Sequence, residues 1–290
     1  VQVLQSPADR RDQSGVRPAG AASRARSDHG DSLKGRGPFG GVGGVSYQVL
    51  QRVTGRRETR RIDLPIVEWT DVYVADFDNH RIQKFTSSGE FITTWGSYGT
   101  SDGQFQYPYE IAVDSSGYVY VADGDNRRIQ KFTSSCEFIT TWGSYGEGDG
   151  EFDWPHGIAV DATGNVYVVD VFNHRIQKFD SNGVFITKWG SYGTSDGQFQ
   201  HPHDIAVDSS GNVYVTDTYN HRIQKFTSSG EFITKWGSYG EGDGQFQYPN
   251  GIAVDSSGDV YATDTYNYRI QRFTSSGEFI TKWGSYGTSD

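Results

Sequence analysis

Asn79, Asn126, Asn173, Asn220 and Asn267 lie 47 residues apart, and each opens the phrase Asn-x-Arg-Ile-Gln, followed by Lys or Arg and then Phe. Trp95, Trp142, Trp189, Trp236 and Trp283 keep the same spacing, each followed by Gly. A fixed period of this length restricts the chain to an array of similar supersecondary units that bury their surfaces against one another. Residues shared by every copy are expected to build the unit, and function is expected where the copies differ.

The unit at 108–151 shows how each copy is built. Ile111-Ala112-Val113-Asp114 is a short apolar run, and Ser115-Ser116-Gly117 is turn chemistry that Asp114 can cap with its own side chain. Val119–Asp123, Arg128–Phe132 and Phe138–Trp142 follow as three further β-rich runs. Four short runs joined by tight turns predict one antiparallel meander, the size of a propeller blade. Val119 and Val121 oppose Tyr120 and Ala122, while Phe138, Thr140 and Trp142 oppose Ile139 and Thr141, so both faces carry bulk. A sheet wetted on one face alternates more sharply, so each blade is expected to be covered on both sides. The fold class predicted is an all-β propeller of four-stranded antiparallel blades.

The linkers add a second period. They read Gly-Thr-Ser-Asp at 99–102, 193–196 and 287–290, and Gly-Glu-Gly-Asp at 146–149 and 240–243. This alternation implies duplication of a two-blade unit. The units run at about 61–104, 108–151, 155–198, 202–245 and 249–290, and in the first of them Leu64-Pro65-Ile66-Val67 has lost the first-strand motif. The expectation is a ring of six blades, of which this chain holds five, the first incomplete. The chain has no Met, which reads as a fragment or a processed chain.

Residues 1–60, rich in Gly, Arg and Ser, show neither helical nor strand period and are expected to be disordered, leaving 61–290 as the folded domain. Charge divides along a similar line. Residues 1–70 carry 12 Lys+Arg against 7 Asp+Glu, whereas 71–290 carry 14 against 29, a balance of −15. So acidic a propeller repels phosphate backbones, which argues against nucleic-acid partners. No apolar run approaches the ~20 residues of a membrane-spanning helix. The single Cys136 excludes an intrachain disulfide, and it replaces the Gly of the other copies at a tight turn where positive φ is expected to strain it mildly.

Asn79-His80-Arg81-Ile82, Asn173-His174-Arg175-Ile176 and Asn220-His221-Arg222-Ile223 resemble the NHL-repeat β-propeller family, as does the phrase Pro155-His156-Gly157-Ile158-Ala159-Val160-Asp161. The resemblance covers about 71–290; Arg127 and Tyr268 depart from it at the His position. It implies a propeller, mostly six-bladed. Its functions are spread over protein-binding platforms, RNA-binding domains, extracellular sensor domains and a zinc-dependent amidating lyase. Fold alone does not choose among these.

Asp76, Asp123, Asp170, Asp217 and Asp264 close the second strand of each unit, and Arg81, Arg128, Arg175, Arg222 and Arg269 open the third. Each pair is expected to meet across the hairpin and, with Asn79, Asn126, Asn173, Asn220 and Asn267, to serve the scaffold. The residues opening the first strand differ between copies: Tyr109-Glu110, His156-Gly157, His203-Asp204 and Asn250-Gly251. First strands line the channel of a propeller, so Tyr109, Glu110, His156, His203, Asp204 and Asn250 are the candidate ligand site at its mouth. The resemblance to the lyase branch makes His156 and His203 candidate zinc ligands, with Glu110 or Asp204 as a possible third, since a catalytic zinc takes three protein ligands. Polar channel lining without a metal is the favoured alternative, and no cofactor is required. The reading that follows is a non-enzymatic binding propeller for a protein or small-polymer ligand. The rivals are a metal-dependent lyase or hydrolase and an RNA-binding NHL domain.

Overall fold

The computed structural model of the chain describes residues 71–287. The segment 1–60, the domain boundary at 61 and the altered motif at 64–67 lie outside the described residues. Strands β1 (Val72–Asp76), β2 (Arg81–Phe85) and β3 (Phe91–Trp95) make a three-stranded sheet. The next unit gives β4 (Pro108–Val113), β5 (Val119–Asp123), β6 (Arg128–Phe132) and β7 (Phe138–Trp142), a four-stranded meander in chain order. The pattern repeats as β8 (Pro155–Val160) to β11 (Phe185–Trp189), β12 (Pro202–Val207) to β15 (Phe232–Trp236), and β16 (Pro249–Val254) to β19 (Phe279–Trp283). Strands within each sheet pair antiparallel, and the first strands β4, β8, β12 and β16 contact one another in succession. The architecture is a β-propeller with five blades represented. No helix among the described residues is long and apolar enough to cross a membrane.

Each blade's first hairpin is closed by its own Asp. The Asp114 carboxylate accepts the Ser116 and Tyr118 amides at 2.8 and 3.0 Å and the Tyr120 hydroxyl at 3.0 Å. That turn fixes the register in which Val113 faces Val119. The core lies between blades. Val119 and Val121 join Tyr73, Ala75 and Ile82 of the preceding sheet. Tyr120 and Ala122 pack with Phe152, Ile158 and Val168 of the following one. Alternate residues of one strand thus serve two different interfaces, as the alternation of bulk predicts.

The outer strands correct that reading in part. Ile139 is 41% exposed, and its counterparts Ile92, Ile186, Ile233 and Ile280 are likewise exposed. Blades arranged about an axis diverge with radius, so the last strand is only partly covered. Trp142 packs against the cluster shared with the following blade, and Phe138, beyond a register shift, against the one shared with the preceding blade. Cys136 takes φ 70°, so the tight-turn position does hold a non-glycine residue in the left-handed region.

The Trp-Gly dipeptide has a steric cause. Gly96 has φ 97°, and a Cβ there would lie 2.5 Å from the ring of Phe105, which is buried in the linker. Gly143, Gly190 and Gly237 meet Phe152, Phe199 and Phe246 in the same way. The linker therefore folds back over the end of its own blade. Arg128 then clamps it. Its Nε donates to Asp123 at 2.8 Å, while its two Nη groups donate to the carbonyls of Thr100, Ser101 and Gln104 at 2.7–2.8 Å. Asn126 donates to both Asp123 and the Gly99 carbonyl at 2.9 Å. The Asp–Asn–Arg set thus joins the hairpin to the linker that arrives from the preceding unit.

Candidate functional site

Each first strand begins at a proline paired with the Asp that closes the second strand, as in Pro108 with Asp123 and Pro155 with Asp170. The register then breaks, and regular pairing resumes at Glu110 in one blade and at Ile158, Ile205 and Ile252 in the others. A bulge of this kind re-aims side chains at the end of a sheet. Just before each proline stands an aromatic residue at positive φ: Tyr107 at 57°, Trp154 at 70°, His201 at 48° and Tyr248 at 57°. Bulky residues reach this region only when their surroundings hold them there, at a cost on the order of 1 kcal/mol each.

Those surroundings are other aromatic rings. Phe77 lies 4.7 Å from Tyr107 and 4.8 Å from Tyr109, centroid to centroid. Tyr109 continues to Trp154 at 5.5 Å, and Trp154 to Phe172 at 5.4 Å. Phe172 meets His201 at 5.5 Å, His201 meets Tyr219 at 4.8 Å, and Tyr219 meets Tyr248 at 5.4 Å. Tyr248 ends the run on Tyr266 at 5.1 Å. One arc of rings therefore crosses all the blades at the end where first strands begin and linkers arrive. Phe172 and Tyr266 are each 44% exposed.

A second, deeper row holds the predicted residues. Tyr109 and His156 are 4.5 Å apart, and His156 and His203 4.7 Å apart, ring to ring. The His156 imidazole donates to the backbone carbonyl of His203, and His203 hydrogen-bonds the Asn250 side chain. Burial drives both imidazoles toward the neutral form: His156 falls well below its usual range, and His203 falls to about 4. Tyr109 receives a hydrogen bond from Trp154, and burial pushes its phenol up. Tyr109, His156, His203 and Asn250 are thus brought together by adjacent blades.

Glu110 and Asp204 behave differently. They are 3% and 2% exposed, and they meet each other although their blades are not adjacent. Burial, then the Asp204 charge and its hydrogen bond, raise the Glu110 carboxyl well above the carboxylate range. Glu110 also accepts from the Ile158 amide, and Asp204 accepts from the Ile252 amide at 2.7 Å. Each acid therefore bonds the first strand of the next blade, which carries glycine where its neighbours carry the acid. A Cβ on Gly157 would lie 2.7 Å from the His203 carbonyl oxygen and 2.8 Å from the Asp204 Cα. Acid and glycine alternate as Glu110, Gly157, Asp204 and Gly251, in step with the linkers.

This arrangement does not fit a zinc centre. Asp204 spends its carboxylate on the Ile205 and Ile252 amides at 2.6 and 2.7 Å and on Glu110. Among the described residues no group of three or more His, Cys, Asp or Glu is placed to hold a metal ion. The acidic linker at Gly146–Glu151 is likewise self-satisfied: Glu151 accepts from the Gly148 amide at 2.9 Å, and Asp149 pairs with Lys188 at 2.8 Å.

Sequence reasoning missed two sets of arc residues. One is the residue before each proline; the other is the pair of residues between the strand-closing Asp and the repeated Asn, which holds Phe77, Asp125, Phe172, Tyr219 and Tyr266. Both vary between copies, the same signal that singled out the first-strand positions. Blades one and two are the exceptions: Phe77-Asp78 and Gly124-Asp125 stand where the other copies carry Val171-Phe172, Thr218-Tyr219 and Thr265-Tyr266. A Cβ at Gly124 would come within 2.4 Å of the Tyr109 ring, so glycine makes the room that Tyr109 fills.

The sequence profile described as "NHL repeat" matches residues 152–179, 199–226 and 246–273. The chain carries NHL repeats. The motif His does visible structural duty, at His80 as well as within the matched repeats. Nδ1 of His80, His174 and His221 accepts the amides of Tyr107, His201 and Tyr248 at 3.2 Å, holding the pre-proline residue of the next unit. No curated protein matches the sequence. Among solved structures, virginiamycin B lyase from Staphylococcus aureus is 18% identical with a TM-score of 0.54, covering 74% of this chain and 66% of its own. The present chain thus spans just under two thirds of that lyase. A catalytically inactive form of the same enzyme with quinupristin gives 17%, 0.58, 77% and 69%. A nidogen/laminin complex gives 17%, 0.56, 74% and 76%. At these identities the likeness is one of fold.

Proposed function

We propose that this NHL-repeat propeller is a non-enzymatic binding module whose face of linkers and first-strand starts receives a protein ligand. The observation that carries the reading is where the copies differ. A scaffold repeated with little change varies at the pre-proline residues, the first-strand openings and the residues before each Asn, and the rings at those positions form the arc and the deeper row beside it. Rings held by a rigid scaffold bind at low ordering cost, and aromatic residues dominate the energetics of protein interfaces. The fold also occurs in a complex of nidogen with laminin. The lyase reading gains no comparable support, because among the described residues His156 and His203 are not joined by a third ligand.

A photo-crosslinking residue placed at Phe172 is expected to capture the physiological partner, and the same residue at Ser210, in the turn at the opposite end of a blade, is not. Equal capture at both sites would overturn the reading. Stoichiometric zinc in the purified protein, lost in a His156→Ala, His203→Ala variant, would restore the lyase.

A further inference from the structure

The arc is not uniform: the residue before the repeated Asn is an acid, Asp78 or Asp125, in blades one and two. Asp125 stands where three other blades carry an aromatic residue, and its carboxylate lies near the Tyr109 ring. Tyr109 feels that charge directly, and Tyr107 is held beside it by the Asp125 amide, which donates to the Gln106 carbonyl at 3.1 Å. Phe77 and Trp154 flank Tyr109 in the arc, at 4.8 and 5.5 Å. The Oδ1 atom of Asp125 is buried and has no hydrogen-bond partner among the described residues. Arg127 does not satisfy it: its Nη1 donates to the backbone carbonyl of Asp125, and its Nε, 4.0 Å from Asp153, has no hydrogen-bond partner among the described residues. Burial accordingly raises the Asp125 carboxyl above its ordinary range, with Arg127 only partly offsetting the rise.

A carboxylate short of a donor beside an aromatic ring matches one ligand chemistry. Guanidinium and ammonium groups donate to the oxygen and are attracted to the ring faces. The protein already uses that contact nearby, where the Arg127 guanidinium sits 5.6 Å from the centre of the Tyr145 ring. The charge of the whole domain agrees, since residues 71–290 carry a balance of −15. We propose that the ligand of this face is a basic peptide segment of a partner protein, with one Arg or Lys side chain anchored at Asp125 beside Tyr109, whose ring meets Phe77 and Trp154. The proposal rests on the binding reading above and adds the chemistry of the partner.

The test is calorimetric titration of the full chain with three synthetic peptides of equal length, carrying three Arg, three Lys or three Gln on a Gly/Ser backbone. Binding of the Arg and Lys peptides is expected to be saturable and to weaken as salt rises, with no binding of the Gln peptide. Asp125→Asn is expected to weaken the Arg peptide by roughly 10-fold, and Tyr109→Leu by a similar factor. Asp102→Asn, in an exposed linker, leaves it unchanged, which separates the anchor from the general charge of the domain. Equal binding of the Gln peptide, an Asp125→Asn titration identical to wild type, or no binding of the Arg peptide overturns the proposal. Binding of a polyuridine oligonucleotide in place of the peptides would do so as well. A partner captured at Phe172 that has no basic segment would refute this chemistry and leave the binding reading standing.

Discussion

Two glycines at equivalent positions of the repeat face different surroundings. Gly157 packs against backbone, with the His203 carbonyl and the Asp204 Cα under 3 Å from where a Cβ would stand, whereas at Gly251 the nearest atoms belong to the Thr263 side chain at 3.4 Å. Gly157→Ala is therefore expected to cost about 2–3 kcal/mol, through displaced backbone and a disturbed Asp204, and Gly251→Ala well under about 1 kcal/mol. Urea denaturation midpoints of the two variants check the difference. At this scale the sequence was half legible. Variation between copies pointed to Tyr109, His156, His203 and Asn250, and these do come together. The same test applied to the glycines would have exposed the alternation with Glu110 and Asp204, but a glycine in a strand gives no hint of which backbone approaches it. Nor does spacing reveal that Tyr107 and Trp154 sit at positive φ, because the neighbouring rings that hold them come from other blades.

The linker, at the scale of the element, is where the repeated Arg acts. Arg175 is buried, donates to Asp170 at 2.8 Å, and also serves the carbonyls of Gly148 and Glu151 at 2.9 and 2.8 Å. Arg175→Ala leaves Asp170 buried without its cation and strands the carbonyls, which is expected to cost about 3–5 kcal/mol. Arg175→Lys is expected to recover less than half of that, because one ammonium cannot span the fork. Thermal melts of both variants, with hydrogen exchange of residues 143–152, test whether the linker loosens first. Strand existence, order and hairpin register were all readable from β-propensity and turn residues. The clamp was not, since its partners lie 24–28 residues upstream in the preceding unit and the sequence motif shows only the Asp at the end of the adjacent strand.

Titration acts at the scale of the whole molecule, because the buried groups belong to several blades. Glu110 binds its proton more tightly folded than unfolded, so its contribution to stability is complete below the ordinary Glu range and is lost as pH rises through the raised folded value. Glu110→Gln keeps a neutral donor toward Asp204, so this variant is expected to gain on wild type as pH rises from about 4 to about 8 in paired urea titrations. His203 has the opposite sign. Its folded pKa is depressed to about 4, so its contribution is present above the ordinary His range and is lost as pH falls toward 4. His203→Gln is expected to flatten the acid limb of the stability profile between about pH 6.5 and 4, read as a smaller fall in melting temperature.

The alternation of Glu110, Gly157, Asp204 and Gly251 also bears on how such a chain can change its length. A copy lost or gained singly would set two acids, or two glycines, on neighbouring first strands, leaving either crowded carboxylates or amides with no acceptor. Loss or gain of two 47-residue repeats together preserves every neighbour. A chain built this way is therefore expected to tolerate a change of copy number by pairs better than by single repeats, whatever the ligand.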